Sequence, residues 1–307
     1  MRVGLVSFVG RPNAGKSTLL NRIIGVKLAI VSDKPQTTRN RILGVRNYPD
    51  PGAGQVVFLD TPGIHRPLHR MNVRMVDAAL DTMREVDVLV LVVDAHEPPG
   101  RGDRFVLDLL KDAPSPVLLA INKIDLVQKA RLLRLIDHYR QAADFADVVP
   151  LSALSGDGVD LLERAILSRL PEGEPLYPED YLTDQPERVL AAEIVREKLL
   201  QHTRDELPFT SAVVVDQFEE PDERGLLRLF CTILVEQESQ KPIVIGRGGQ
   251  MIKRIGTEAR LDLERFFQTR VFLDLRVKVR ADWRDDDRQL DELGVERGRG
   301  RRPRRRD

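Results

Sequence analysis

The chain of 307 residues has one cysteine, 5% aromatic residues and no long apolar run. A single thiol, Cys231, excludes a disulfide within the chain, is too little for a cysteine-based zinc site, and indicates a reducing compartment. No segment approaches the ~18 consecutive apolar residues of a membrane-spanning helix. The apolar part of the N-terminal stretch MRVGLVSFVG is also too short for a signal peptide. We therefore expect a soluble, cytoplasmic protein.

An excess of charge of one sign is also missing, because 48 Lys and Arg balance 48 Asp and Glu. A net charge of zero predicts no polyanionic partner, but a total can conceal local fields. Residues 216–238 hold seven acidic and two basic residues, a net charge of −5, whereas residues 241–280 hold ten basic and four acidic residues, a net charge of +6. The basic segment is therefore a candidate surface for a polyanion.

The composition, 42% apolar and 31% charged, is that of a globular protein, and this length allows about two domains at roughly 100 to 200 residues each. Through residues 1–171, short β-branched runs such as QVVFLD and VDVLVLVVDA alternate with helical patterns such as KSTLLNRIIG and GVDLLERAILSRL. This alternation predicts an α/β domain with a mainly parallel sheet and helices on both faces.

The composition changes at Pro171. The stretch PEGEPLYPEDYLTDQPER is rich in proline and acidic residues, which predicts a linker over residues 172–188. Residues 189–283 show a helix, two strands, a glycine-containing segment, a helix and a strand, which predicts a compact α+β domain. Seven arginines lie between Arg297 and Arg306. This composition predicts a disordered tail over residues 284–307, because it offers too little apolar surface to bury.

The segment GRPNAGKS, Gly10 to Ser17, matches the P-loop pattern G-x-x-x-x-G-K-[ST] between a predicted strand and a predicted helix. In such a loop, backbone N–H groups and the helix N-terminus meet phosphate oxygens, the lysine adds a positive charge, and the hydroxyl can hold Mg²⁺. A glycine turn before an ordinary helix is the alternative. Three further segments in the expected order favour the P-loop: DTPG at Asp60–Gly63, NKID at Asn122–Asp125, and SAL at Ser152–Leu154.

Together these segments resemble the motifs of translation-factor-related GTPases. The resemblance implies that GTP and GDP bind, and that GTP is preferred over ATP because Asp125 accepts hydrogen bonds from guanine N1 and N2. Lys123 would pack on the ring, and the Ala153 amide would contact guanine O6. The implied phosphate-binding residues are Gly10, Arg11, Pro12, Asn13, Ala14, Gly15, Lys16, Ser17, Thr18, Asp60, Thr61, Pro62, Gly63 and Ile64. The implied guanine-binding residues are Asn122, Lys123, Asp125, Ser152, Ala153 and Leu154.

Residues 32–44, SDKPQTTRNRILG, are polar enough to predict a mobile loop. In GTPases, a loop threonine joins the Mg²⁺ shell when the γ-phosphate is present. Similarity to relatives with a TTR sequence indicates Thr38, so the implied Mg²⁺ ligands are Ser17, Thr38 and Asp60. The switch loop would then comprise Gln36, Thr37, Thr38, Arg39 and Asn40.

Ras-like enzymes orient the attacking water with a glutamine after the DxxG glycine, whereas this chain has Ile64. Isoleucine cannot orient water, so we expect slow intrinsic hydrolysis. The similar subgroup of GTPases has an asparagine at the position of Asn13, and in several relatives that asparagine helps to bind K⁺. Activation by K⁺ held by Asn13 and Thr37 is therefore a hypothesis.

A second glycine loop lies in PIVIGRGGQMIKRIG, residues 242–256. A dinucleotide fingerprint would need a glycine where Met251 stands, and no glycine-lysine-serine or -threonine follows that would make a second P-loop. The remaining alternatives are a glycine-rich turn and the GXXG loop of a KH domain, which clamps about four nucleotides of single-stranded nucleic acid. The surrounding positive charge favours the KH interpretation. Its candidate RNA-binding residues are Gly246, Arg247, Gly248, Gly249, Lys253, Arg254 and Arg260.

A GTPase domain followed by YPEDYLTDQPER and a type II KH pattern resembles the Era family of bacterial GTPases over residues 3–283. The resemblance implies a monomer that binds the 3′ end of 16S rRNA, assists assembly of the 30S subunit, and contacts the inner face of the cell membrane peripherally. Gly248 and the arginine-rich tail depart from the family pattern, and we interpret the tail as a salt-sensitive RNA tether. The rival hypotheses are an RNA-modifying enzyme driven by GTP, for which no cofactor motif is present, and a membrane-associated signalling GTPase.

Overall fold

The computed structural model of the chain describes residues 1–34, 36–49, 54–64 and 69–297. The described residues form two compact units. The first comprises those within Met1–Ala29, Pro35–Asp184 and Val295–Asp307, and the second comprises Ile30–Lys34 and Gln185–Gly294. The boundary after Asp184 falls inside the segment predicted as a linker, 172–188.

The first unit is a six-stranded sheet with helices on both faces, which confirms the predicted fold class. The sheet order is β2-β3-β1-β4-β5-β6, and β2 is antiparallel to β3 while the other neighbouring pairs are parallel. The strands are β1 (Arg2–Val9), β2 (Ile42–Asn47), β3 (Gly54–Asp60), β4 (Val88–Asp94), β5 (Val117–Asn122) and β6 (Asp147–Pro150). The helices are α1 (Lys16–Ile24), α2 (Arg70–Glu85), α3 (Arg101–Leu110), α4 (Lys129–Ala142) and α5 (Val159–Leu167).

The strands of this sheet are apolar along their length because both faces are covered. In β4 every residue from Val88 to Val93 is buried. The Phe8 and Phe58 rings stack at 5.4 Å between centroids in the core that also contains residues of α1 and α5. The other core combines residues of β4 with residues of α2, α3 and α4. The carboxyl ends of the parallel strands meet at one edge, which is where such sheets bind ligands.

Strand β2 was not expected from the sequence, which placed residues 42–44 in a polar loop. Its residues pair with β3, with Leu43 opposite Leu59. A polar flanking sequence hides this short strand, and the neighbouring strand supplies the hydrogen bonds that decide its conformation. Part of the predicted linker also packs here, because Val45 N–H donates to the Leu182 carbonyl at 2.9 Å.

The second unit is a three-stranded sheet in the order β7-β8-β9, with α6 and α9 packed against it. The β7–β8 pair is antiparallel and the β8–β9 pair is parallel. Its elements in chain order are α6 (Glu187–His202), α7 (Leu207–Thr210), β7 (Ala212–Glu219), β8 (Leu226–Val235), α8 (Lys241–Ile245), α9 (Gln250–Phe267), β9 (Arg270–Val279) and α10 (Asp287–Glu292). The order of helices and strands confirms the predicted α+β arrangement.

The prediction that residues 284–307 are disordered is wrong for the part that the structure describes, 284–297. Trp283, just before this part, is fully buried and donates from Nε1 to the Thr210 carbonyl at 3.0 Å. Arg284 donates from two nitrogens to the two carboxylate oxygens of Glu236, each at 2.7 Å.

Helix α10 follows, and its Leu290 is fully buried. The average composition of this segment is polar and therefore predicted disorder. A few completely buried side chains and one bidentate ion pair nevertheless fix the segment against the rest of the second unit. Residues 298–307 lie outside the described part of the chain.

Candidate nucleotide and nucleic-acid sites

The P-loop lies between β1 and α1 and requires glycine at two positions. Gly10 and Gly15 have φ angles of 149° and 96°, and a Cβ on Gly10 would lie 2.3 Å from the Val92 carbonyl oxygen. Lys16 Nζ donates to the carbonyls of Gly10 at 3.3 Å and Arg11 at 3.0 Å. Burial lowers the pKa of Lys16, and the negative charge of Asp60 opposes this shift. The loop thus presents a buried cation at the N-terminus of α1, which suits a phosphate.

The three predicted Mg²⁺ ligands converge. The Ser17 hydroxyl lies 2.6 Å from Asp60 Oδ2 and 2.7 Å from the Thr38 hydroxyl, and the Thr38 hydroxyl lies 3.5 Å from the same carboxylate oxygen. Asp60 Oδ1 is buried, and no described residue gives it a hydrogen bond of normal geometry. Burial raises the pKa of Asp60 to about 6, against the opposing effects of Lys16 and the two hydroxyls. Hard oxygen ligands with unused lone pairs fit Mg²⁺, whose charge would favour the ionised carboxylate.

The Arg11 side chain, predicted to lie among the phosphate-binding residues, points to other partners. Its Nη1 is 2.9 Å from Asp103 and its Nη2 is 3.2 Å from Glu97. The Asp103 carboxylate also accepts the Gly100 N–H at 2.8 Å. Arg11 therefore ties the P-loop to the start of α3, and only its backbone lies in the loop around Lys16.

The DTPG segment leaves β3 and packs closely on the P-loop. Thr61 Oγ1 donates to the Phe8 carbonyl at 2.8 Å, and a Cβ on Gly63 would lie 2.7 Å from the Pro12 nitrogen. Ile64 N–H donates to the Gly10 carbonyl at 3.0 Å, and the Ile64 side chain is 1% exposed. Ile64 is thus part of the core, so its side chain is not available to orient a water molecule.

Asn122 joins the loops of the predicted base pocket. Its Nδ2 donates to the Ala14 carbonyl at 2.9 Å, while its Oδ1 accepts the N–H groups of Lys123 at 2.8 Å and Ala153 at 2.9 Å. The P-loop, the NKID segment and the SAL segment are therefore linked through one side chain. The Ala153 amide, predicted to contact guanine O6, has a protein acceptor in this structure, and that contact stays a prediction.

The Lys123 side chain is oriented by a residue that the sequence analysis did not identify. Its Nζ lies 2.5 Å from Asp94 Oδ2 at the end of β4. Asp125 lies in the short 3₁₀ helix Ile124–Leu126. Its side chain is exposed, so a nucleotide base that arrives from solvent can reach its carboxylate. The signal for Asp94 was available, because it ends a buried strand beside the strand that leads to NKID.

The predicted switch loop is described from Gln36 onward. Thr38 and Arg39 are buried, with 8% and 7% exposure. Gln36 and Asn13 have positive φ angles of 60° and 63°, which are uncommon for residues other than glycine. K⁺ binding by Asn13 and Thr37 stays a prediction.

The second glycine loop separates α8 from α9 in the second unit. Gly246, Gly248 and Gly249 have φ angles of 75°, 58° and 78°. A Cβ on Gly246 would lie 2.6 Å from Met251 Cβ, whereas a Cβ on Gly248 or Gly249 would meet no atom within 4 Å. The backbone after Gly246 is therefore open to an approaching chain, with the exposed Arg247 beside it.

A groove of about 310 Å³ lies next to this loop, between α9 and β9. Arg254 and Arg260 pair with Glu258 at 3.1 Å and Glu264 at 2.8 Å on their own helix. Because exposed pairs of this kind contribute little, both arginines can still meet phosphates. The groove is lined by Ile252, Lys253, Gly256, Thr257, Arg260, Leu273 and Leu275, of which the sequence analysis identified only Lys253 and Arg260. The glycine within α9 and the alternating leucines of β9 were the available signals.

Comparison with known proteins gives matches for both units. The family described as "50S ribosome-binding GTPase" matches residues 5–123, and the family described as "KH domain" matches residues 206–284. The GTPase Era of Geobacter metallireducens is 50% identical over 293 residues, which cover 95% of this chain and 97% of that protein. The GTPase Era of Geotalea uraniireducens is 51% identical and covers 96% of this chain and 98% of that protein.

Two crystal structures are also similar over nearly the whole chain. An Aquifex aeolicus Era variant bound to GDP·AlF4⁻ is 42% identical with a TM-score of 0.91, and covers 96% of this chain and 99% of that one. Era in complex with MgGDPNP and nucleotides 1506–1542 of 16S ribosomal RNA is 42% identical with a TM-score of 0.92 and the same coverage. The chain therefore belongs to the family of Era GTPases, enzymes that bind and hydrolyse GTP.

Proposed function

We propose that this chain is a GTP-dependent switch that binds the 3′ end of 16S rRNA and assists assembly of the 30S ribosomal subunit. One observation carries the proposal: the same chain contains a convergent set of GTPase motifs and a GXXG loop beside a groove lined by both apolar and basic side chains. The relative solved with MgGDPNP and nucleotides 1506–1542 of 16S ribosomal RNA supports this RNA as the ligand.

In the first unit, Lys16 and the P-loop amides would bind the phosphates of GTP. Ser17, Thr38 and Asp60 would hold Mg²⁺, which neutralises charge on the phosphates during transfer. Thr38 would link the switch loop to a bound Mg²⁺, so loss of the γ-phosphate would weaken the hold on that loop. Because Ile64 is buried, hydrolysis would be slow. K⁺ near Asn13 and Thr37 would then supply charge where other GTPases use an arginine.

In the second unit, the open backbone at Gly248 and Gly249 would meet RNA phosphates, together with Arg247 and Lys253. The apolar floor of the adjacent groove, which includes Leu273, would receive the bases. GXXG contacts of this kind position a single strand by its backbone, while the groove selects bases by shape and hydrogen bonding.

The decisive experiment measures binding of a fluorescent RNA of the 16S 3′ end with GDP and with GDPNP. The double substitution Arg247→Asp, Gly248→Asp places two carboxylates on the loop and should weaken binding at least tenfold, because phosphate contacts dominate RNA affinity. Arg265→Asp reverses a charge near the far end of α9, where the side chain is 79% exposed, and serves as the control for the charge reversal at Arg247. Wild-type affinity of the loop variant, or wild-type crosslinks to this RNA in cells, would contradict the proposal.

We also propose a cytoplasmic location with peripheral contact at the inner face of the membrane. This proposal is supported by the family resemblance. Among the described residues, no helix is both long enough and apolar enough to cross a bilayer. Fractionation of cells that express the tagged chain tests it: complete absence from the washed membrane fraction would contradict the membrane contact.

A further inference from the structure

We propose that Arg22 is a positioning residue for guanine recognition, an inference that rests on the nucleotide binding of the proposed function. Arg22 lies in the last turn of α1, outside the GTPase motifs. Its Nε donates to the Ala153 carbonyl at 3.1 Å, and its Nη2 donates to the Leu154 carbonyl. One guanidinium thus holds two successive carbonyls of the SAL segment.

Because the peptide bond is planar, the contact of Arg22 with the Ala153 carbonyl also fixes the direction of the Leu154 N–H. In a planar trans peptide, the N–H of one residue points opposite to the carbonyl of the residue before it. Because Arg22 holds the Ala153 carbonyl toward α1, the Leu154 N–H must point away from α1. The planar fork of arginine fixes both carbonyls at once, which the single ammonium group of lysine would do less well.

The neighbouring N–H groups of this loop already have acceptors within the protein, which leaves the Leu154 N–H available to a ligand. Ala153 N–H donates to Asn122 Oδ1 at 2.9 Å, and Ser155 N–H donates to Ser152 Oγ at 3.2 Å. Within the described part of the chain, the Leu154 N–H has no hydrogen-bond acceptor. Guanine O6 is an acceptor of the right kind for it, so Arg22 presents the Leu154 amide to O6, in place of the Ala153 amide that the family resemblance implied and that Asn122 engages here.

Packing gives this loop little other support at that position. The Leu154 side chain is 72% exposed, so it buries almost no apolar surface that would fix the peptide plane. The hydrogen bond from Arg22 Nε to the Ala153 carbonyl therefore holds the peptide plane that carries the Leu154 N–H. A purely structural role for Arg22 would affect all nucleotides equally, whereas this role affects contacts to O6.

The test measures dissociation constants for three nucleotides in the full chain. GDP carries O6, 6-thio-GDP replaces O6 with a weaker acceptor, and IDP keeps O6 but lacks the N2 amino group. The variant Arg22→Met removes both donors and retains a long side chain. Arg164→Met on α5 is the matched control, because Arg164 is 68% exposed and pairs only with its helix neighbour Asp160 in the contacts described.

Arg22→Met should weaken GDP binding about fivefold, as expected for one hydrogen bond. The preference for GDP over 6-thio-GDP should fall toward one, while the preference for GDP over IDP should stay constant because Asp125 sets it. Arg164→Met should change none of these values. Arg22→Lys should give an intermediate loss, and it provides the same test if Arg22→Met does not fold.

An equal loss for all three nucleotides, or an unchanged GDP affinity, would overturn the assignment of Arg22. A wild-type chain that binds no GDP at all would instead contradict the proposed function. The two failures are therefore distinguishable in one series of measurements.

Discussion

The Ser17 hydroxyl donates to Asp60 Oδ2 at 2.6 Å although 43 residues separate them along the chain. Ser17 follows β1 and Asp60 ends β3, and these strands are parallel neighbours with Phe8 opposite Asp60. Parallel pairing brings the two carboxyl-terminal ends together, and the loops that leave them carry the metal ligands. The candidate Mg²⁺ site is thus a direct result of the strand order.

The buried carboxylate of Asp60 should destabilise the protein when no nucleotide or Mg²⁺ is bound. With a pKa of about 6 in the folded chain against a reference value of 3.8, its ionisation costs about 3 kcal/mol at pH 8. Asp60→Asn should therefore raise the free energy of unfolding in EDTA at pH 8, and should abolish Mg²⁺-dependent GTP hydrolysis. Denaturant titration and phosphate release measure the two effects.

The same group predicts a pH dependence. A folded pKa above the unfolded one means that the folded state holds the proton more tightly, so this contribution is full below about 3.8 and is lost as pH rises through about 6. The stability difference between Asp60→Asn and the wild type should shrink as pH falls from 8 to 5. Asp108→Asn, at a carboxylate that is 65% exposed, is the control. A difference independent of pH would contradict the assignment.

The glycines of the second loop should differ in their tolerance of alanine. Gly246→Ala places a Cβ 2.6 Å from Met251 Cβ at a positive φ, so we expect a loss of about 2–4 kcal/mol from overpacking and backbone strain. Gly248→Ala meets open space and should cost only about 1–2 kcal/mol for its left-handed conformation. Denaturant titration compares the variants, and equal losses would show that packing at Gly246 is not limiting.

Leu290 should contribute to stability although it lies in a segment of polar composition. Its side chain is fully buried, so Leu290→Ala should lower the free energy of unfolding by about 2–4 kcal/mol. Leu261→Ala, at a leucine that is 43% exposed on α9, should cost much less. Equal effects would mean that α10 is not packed in solution.

Deletion of residues 298–307 should weaken RNA binding in a salt-dependent way. The deletion removes six arginines, so the slope of log K against log salt should fall by up to about 4 for single-stranded RNA. The midpoint of the unfolding transition should not change, since the segment packed around Trp283 is retained. An unchanged slope would contradict the interpretation of the tail as an RNA tether.

Hydrolysis should be faster in K⁺ than in Na⁺. We expect at least about a tenfold difference, because charge at the position of an arginine finger has large effects on rate. Asn13→Ala should reduce the difference, while Asn47→Ala, on the edge strand β2, should not. Equal turnover in the two salts would contradict K⁺ activation.

The sequence by itself determined the fold class and most residues of the nucleotide site, because each motif is local: a buried strand followed by a short loop of required residue types. Gly10, Asp60 and Asn122 stand where they do through such local rules. The sequence also determined the second glycine loop, since Gly246 and Gly248 need conformations that other residues rarely adopt.

Tertiary structure alone decided the rest. The partners of Arg11, Asp94 and Arg22 lie far along the chain from them, so no local pattern predicts their pairing. Strand β2 needed β3 beside it, and the segment after Trp283 needed a surface on which to bury Leu290. Burial and pairing between distant residues depend on how the elements pack, and a single sequence records that packing only indirectly.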